Sequence, residues 1–244
     1  MDIARSIRES VEAVARLRAE ALAAPALRVA VEEVKRLQSR RFSGSYADLL
    51  RDPTYERAAA FFLRELYGER DYSRRDEQFA RIAGAIERLF PVNVARTAAQ
   101  LAQLHALTED LDVQLARHWL DSDAAEAARY AACWRLVGRE DDRRRQLESV
   151  VGLGDQLAHL TRAPGLRTML RMMRGPASAA GLGALQAFLE TGFDTFSQMS
   201  RRAGAAERFL RTVRERESAL IDLLFATDLV ACETELERIL GQAR

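Results

Sequence analysis

Apolar side chains recur at three- and four-residue steps along nearly the whole chain, and the two-residue alternation that marks a half-buried strand is absent. Ile3, Ile7, Val11, Val14 and Leu17 form one such stripe. Leu27, Val31 and Val34 form the next, behind Pro25 at a helix start. A chain with this period buries its apolar surface by packing helix against helix. The expected fold is therefore all-α, a multi-helix bundle of about nine to eleven helices with an N-terminal helical hairpin packed on a central bundle. No internal repeat or long linker divides the chain, so residues 1–244 read as a single all-α domain, with residues 1–42 as a candidate hairpin appendage.

Local punctuation places the boundaries. RRFSGSY (40–46) reads as the first loop, and Asp52-Pro53 as an N-cap followed by proline at the first helical position. A helix carrying Ala59, Phe62, Leu63 and Leu66 then runs to Gly68, where a left-handed C-cap is expected. Ser73 and Asp76 have the spacing of a capping box and open the next helix. Pro91 starts another, and Thr108-Glu109-Asp110 reads as the cap of a separate helix at 109–120. Further helices are expected at 123–137, 139–161 and 164–174, then from Pro176 to Arg202, and over 204–240.

Composition narrows the function. Lys+Arg number 37 against 36 Asp+Glu, a net charge of +1, so no global field draws the molecule to nucleic acid or anionic lipid. A single lysine, Lys35, stands among the arginines. Cys133 and Cys232 lie in apolar helical contexts and form neither a disulfide framework nor a metal knuckle, which implies a reducing, cytoplasmic compartment. The N-terminus carries charges throughout, and no run reaches the ~18 apolar residues of a membrane span.

Most catalytic constellations lack parts. The sequence has no Glu-x-x-His for a di-iron bundle, no Gly-x-Ser-x-Gly elbow, no phosphate-binding loop and no dinucleotide fingerprint opening from a strand. The histidines are His105, His118 and His159. His105, Glu109 and Asp112 stand at i, i+4 and i+7, which places three metal-ligand types on one face of a continuous helix. Thr108 is read as breaking that helix, so a capping turn is expected there instead. Asp155 and His159 are expected to pair on the surface, and Cys133 to be buried. Neither a metal, a cofactor nor catalysis is expected.

One region departs from the balanced charge pattern. No Asp or Glu occurs from Gln156 through Leu189, whereas Arg162, Arg167, Arg171 and Arg174 all fall there. Arg167, Arg171 and Arg174 share a helix face, and Gly175-Pro176 opens a helix whose free N–H groups add to the positive field, the recipe for an anion site. The following helix is the most apolar of the chain, with Leu182, Leu185, Phe188, Leu189, Phe193 and Phe196 on one broad face. Gly181 and Gly183 are read as points of close helix contact within it. The candidate ligand site thus comprises Arg167, Arg171, Arg174, Gly175, Phe188 and Phe193. The plain alternative is that the arginines pair with acids elsewhere and the phenylalanines fill a core.

Residues 61–68 read FFLRELYG. Phe61, Phe62, Leu63, Glu65, Leu66 and Tyr67 carry a resemblance to the signature of the bacterial FFLEELY motif protein family, with Arg64 where that signature has Glu. The resemblance implies no particular activity, cofactor or substrate, and the inverted charge at Arg64 argues against a catalytic carboxylate at that position. On the residues themselves, Phe62, Leu63 and Leu66 are expected in the core, and Glu65, Asp71, Arg74, Arg75 and Asp76 are expected to tie a helix corner together. The motif cluster is Phe61, Phe62, Glu65, Tyr67, Asp71, Arg74 and Asp76.

The expected function is a non-catalytic helical protein, a protein–protein interaction module that self-associates as a homodimer or binds another protein. The alternative is a small-molecule binder in which an apolar pocket meets an arginine-lined site for an anionic head group.

Overall fold

The computed structural model describes residues 2–66, 72–226 and 228–243, and among these every regular element is a helix. In chain order they are α1 (Ile3–Ala23), α2 (Pro25–Ser45), α3 (Glu56–Leu66), α4 (Ser73–Leu89), α5 (Val92–Trp119) and α6 (Glu126–Val137). There follow α7 (Glu140–Leu160), α8 (Leu166–Met172), α9 (Arg174–Ala179), α10 (Gly183–Met199), α11 (Ala205–Ala226) and α12 (Leu229–Gln242). The all-α bundle expected from the periodicity is present. The short α8 and α9 bring the number among the described residues to twelve. None of the described helices is long and apolar enough to cross a membrane.

The N-terminal hairpin forms where its stripes predict. Asp2 caps α1 by accepting from the Arg5 N–H at 2.8 Å, and Pro25 sits at the start of α2. The hairpin is built into the bundle rather than appended to it. α1 packs on α4 and α5, and α2 packs on α5 and α12. Val34, Leu37 and Phe42 of α2 belong to the main core.

Four local expectations are overturned. The 40–46 stretch is helical to Ser45, because Phe42 and Tyr46 are buried and Gly44 admits α12. A Cβ at Gly44 would lie 1.9 Å from the Ile239 carbonyl oxygen. Ser73 makes no capping bond with Asp76, whose carboxylate is turned into the protein instead. The helix expected from Pro176 to Arg202 is two helices, since Gly181 adopts φ +69° and breaks the path between α9 and α10. Lastly, Thr108 does not interrupt α5, which runs unbroken from Val92 to Trp119.

The unbroken α5 positions the site. Buried apolar residues fall into two separate clusters. The smaller is formed by α1, α4 and the first half of α5, with Ile3, Ile7, Ala83, Ile86, Ala95 and Ala99. The larger gathers α2, α3, α6, α7, α10, α11, α12 and the last turns of α5 around Phe42, Phe62, Trp134, Phe196 and Phe209. α5 contributes to both, as does α1 through Ala21, and the space between the clusters remains open along the flank of α5.

Candidate functional site

A cavity of about 250 Å³ lies between the two clusters. One continuous face of α5 lines it: Val94, Thr97, Ala98, Leu101, Leu104, His105, Thr108, Glu109 and Asp112, at the three- and four-residue steps of a helix. From Val94 to Asp112 this face extends about 27 Å at 1.5 Å per residue. Opposite it stand Ile82 and Ile86 of α4, Leu153 and Leu157 of α7, Leu185 and Phe188 of α10, and Phe61 and Phe62 of α3. The aromatic wall is mutually packed, with Phe61 on Phe188 at 5.9 Å between centroids and Phe62 edge-on to Phe209 at 5.4 Å. The buried Gln78 of α4 accepts from the Leu185 N–H at 3.0 Å, which pins the start of α10 against α4.

The lining changes character along α5, apolar from Val94 to Leu104 and polar from His105 to Asp112. At the polar end α2 supplies a matched pair: Lys35 Nζ donates to Glu109 Oε1 at 2.7 Å, and Gln38 Nε2 to Asp112 Oδ1 at 3.0 Å. Both pairs are spaced i, i+3 on their helices, so two adjacent turns of α2 and α5 are bridged side by side. Asp76, the first-turn acid of α4, gathers a second set of partners. Its Oδ2 lies 2.9 Å from Arg18 of α1 and 2.9 Å from His105 Nε2. Arg75 reaches Asp76 at 3.5 Å and Glu65 at 3.2 Å, with its guanidinium over the Tyr72 and Phe188 rings. An ionised carboxylate only accepts, so the His105 Nε2 carries the hydrogen it shares with Asp76.

Burial raises the Asp76 carboxyl, but the hydrogen bond and charge of His105, with Arg75 and Arg18, outweigh it and hold Asp76 below the usual range. Burial likewise raises Glu109, and the Lys35 ammonium outweighs it, so Glu109 stays ionised. Asp112 goes the other way. Its burial dominates the opposing influence of Lys35 and Arg143, and its carboxyl is pushed above the usual range. Among the described residues no cluster of three or more His, Cys, Asp or Glu is arranged to hold a metal. His105, Glu109 and Asp112 do share a face, but Asp76, Lys35 and Gln38 are their partners there.

The sequence-predicted residues divide sharply. Phe61, Phe62, Glu65, Asp76 and Phe188 line the cavity. Tyr67 and Asp71 lie outside the described residues, and Arg74 is exposed on α4. Phe193 is buried in α10, while Gly175 is exposed at the start of α9. The arginines do not converge on the cavity. Arg167 pairs with Asp194 at 2.9 Å, Arg174 with Glu190 at 2.5 Å, and Arg162 with Glu207 at 3.3 Å. The hydrogen bond from Arg174 holds Glu190 down to about 2, with Arg171 adding to the field. These ion pairs supply the acids missing from the local sequence. His159 is exposed and bonded to the Asp155 carbonyl, and the buried Cys133 thiol is pushed up by desolvation.

Sequence reasoning passed over Arg18, Lys35 and Gln38. Two signals pointed to Lys35 and Gln38, and none to Arg18: Lys35 is the single lysine of the chain, and its spacing to Gln38 repeats the spacing of Glu109 to Asp112.

The family model described as a domain of unknown function (DUF8198) matches residues 17–230. No curated protein and no solved structure matches the chain. The matched span covers every cavity residue except Val11.

Proposed function

The chain belongs to that DUF8198 family, and we propose that it binds a small amphipathic molecule whose apolar chain lies along α5 and whose polar end meets His105, Glu109 and Asp112. The carrying observation is the cavity itself. Unfilled space of about 250 Å³ costs its apolar walls the packing contacts that a filled core would make. A ligand that fills the space recovers that cost. The apolar-to-polar gradient along one helix face then orients it, since each end of an amphipathic ligand finds its own kind of wall.

Arg167, Arg171 and Arg174 do not take the head group in this reading, because two of them are bound to Asp194 and Glu190 on α10. A second reading, the interaction module, draws on exposed apolar side chains such as Leu22, Leu136 and Val230. Light scattering on the purified chain tests it, and a strict monomer counts against self-association.

Native mass spectrometry of freshly purified protein tests the binding reading. It should show one small molecule per chain that is released on denaturation. An unliganded spectrum, combined with no thermal shift across medium-chain fatty acids, alcohols and ketones, would overturn it.

A further inference from the structure

The charged groups at the polar end of the cavity are already matched. Glu65 faces Arg75, Asp76 faces Arg18, Arg75 and His105, and Glu109 faces Lys35. An anionic head group entering here would meet three carboxylates whose cations are already engaged. A cationic one would meet Lys35 and Arg75, with Arg143 also acting on Asp112. Desolvation makes either choice costly in a site this buried.

Asp112 differs from the other three acids. It is 3% exposed, lines the cavity, and takes one hydrogen bond, on Oδ1, from the neutral amide of Gln38. No other described residue bonds its second oxygen, which is open to the cavity. A buried carboxyl left this way is satisfied by a group that completes its bonding. We infer that the ligand's polar end is uncharged, a ketone or hydroxyl oxygen on an apolar chain, and that it docks against Asp112 Oδ2. Burial favours the protonated carboxyl. Oδ1 then accepts from Gln38 while the Oδ2 hydroxyl donates to the ligand oxygen, so both carboxyl oxygens are used. This inference rests on the cavity-binding reading and specifies its ligand class.

The test compares three probes of one chain length, 2-dodecanone, dodecanoate and dodecylammonium, titrated into the full chain at neutral pH. The ketone is expected to bind at least tenfold more tightly than either ion. Asp112→Asn, which keeps both a donor and an acceptor, should retain that preference; Asp112→Leu should weaken the ketone about tenfold and leave dodecanoate unchanged. Tighter binding of dodecanoate or dodecylammonium would overturn the inference while leaving the binding function intact. A ketone affinity unmoved in Asp112→Leu would overturn the role of Asp112. Binding of none of the three would overturn both the inference and the function it rests on. Should Asp112→Leu fail to fold, the probe ranking on the parent and on Asp112→Asn still decides.

Discussion

Glu109 and Asp112 lie three residues apart on α5 and face the same cavity, yet their surroundings move their acidities in opposite directions. Burial raises both carboxyls, and Lys35 of α2 outweighs it at Glu109 but not at Asp112. Lys35 gives Glu109 an ammonium at 2.7 Å, whereas Gln38 gives Asp112 only a neutral amide at 3.0 Å. Environments that separate two neighbouring carboxyls in this way favour the charged form of one and the neutral form of the other.

Stability should report that difference with opposite signs. Asp76 and Glu109 are depressed in the fold, so the stability they contribute is present above their unfolded values and lost as pH falls through the folded ones. Asp112 is raised, so its contribution is present below the unfolded value and lost as pH rises through the folded one. Asp112→Asn removes only the second effect. Its melting temperature relative to the parent should therefore climb as pH rises above about 4, the ordinary aspartate value. A flat or falling difference would contradict a protonated Asp112.

Lys35 and Glu109 should behave as a coupled pair. Removing only the ammonium, as in Lys35→Met, leaves a buried carboxylate short of its closest cation and should cost about 3 kcal/mol, the low end for a buried pair, because Lys35 is 21% exposed and Arg18 stands 3.9 Å from Glu109. Adding Glu109→Leu should recover most of that loss. Denaturant unfolding of both single variants and the double checks it, and additive losses would show that the two side chains do not interact.

Filling the cavity should stabilise the protein and block its ligand together. Ala98 lines the apolar stretch beside the smaller core cluster. Ala98→Leu is expected to gain about 1 kcal/mol, or roughly 2–4 °C in melting temperature for a chain of this size. The same variant should lose binding of 2-dodecanone. A destabilised variant would indicate ordinary overpacking of a filled core.

Gly44 tests the close approach of α2 and α12. A methyl there would meet the Ile239 carbonyl oxygen at 1.9 Å, and backbone cannot rotate away as a side chain can. Gly44→Ala should cost at least about 3 kcal/mol, whereas an ordinary helical glycine gains from the same change. Gly152 of α7, with nothing near its Cβ position, is the control. Equal responses at the two sites would contradict the packing.

Much of this arrangement was legible in the sequence, and the missing parts share a cause. The stripes of α1 and α2 predict their helices because amphipathic surface is a local property. Thr108-Glu109-Asp110 carries the local signature of a cap, but α5 continues because α2 brings Lys35 and Gln38 to its buried acids, partners distant in sequence. The arginine patch reads as unpaired for a similar reason: Glu190, which binds Arg174, is the first acid after the stretch that lacks them. Phe62 reads as core and Phe188 as either core or ligand site, and Phe61 packs on both. Only the separation of the two apolar clusters shows that the same rings also bound a cavity.

The central claim is that an amphipathic molecule lies along α5, and photolabelling locates it most directly. One equivalent of a dodecanone carrying a diazirine near the end of its chain should crosslink residues of the apolar stretch, such as Val94, Leu101, Ile86 and Leu157, as mapped by peptide mass spectrometry. Adducts confined to exposed side chains such as Leu136 and Val230, with none in the cavity, would contradict the account.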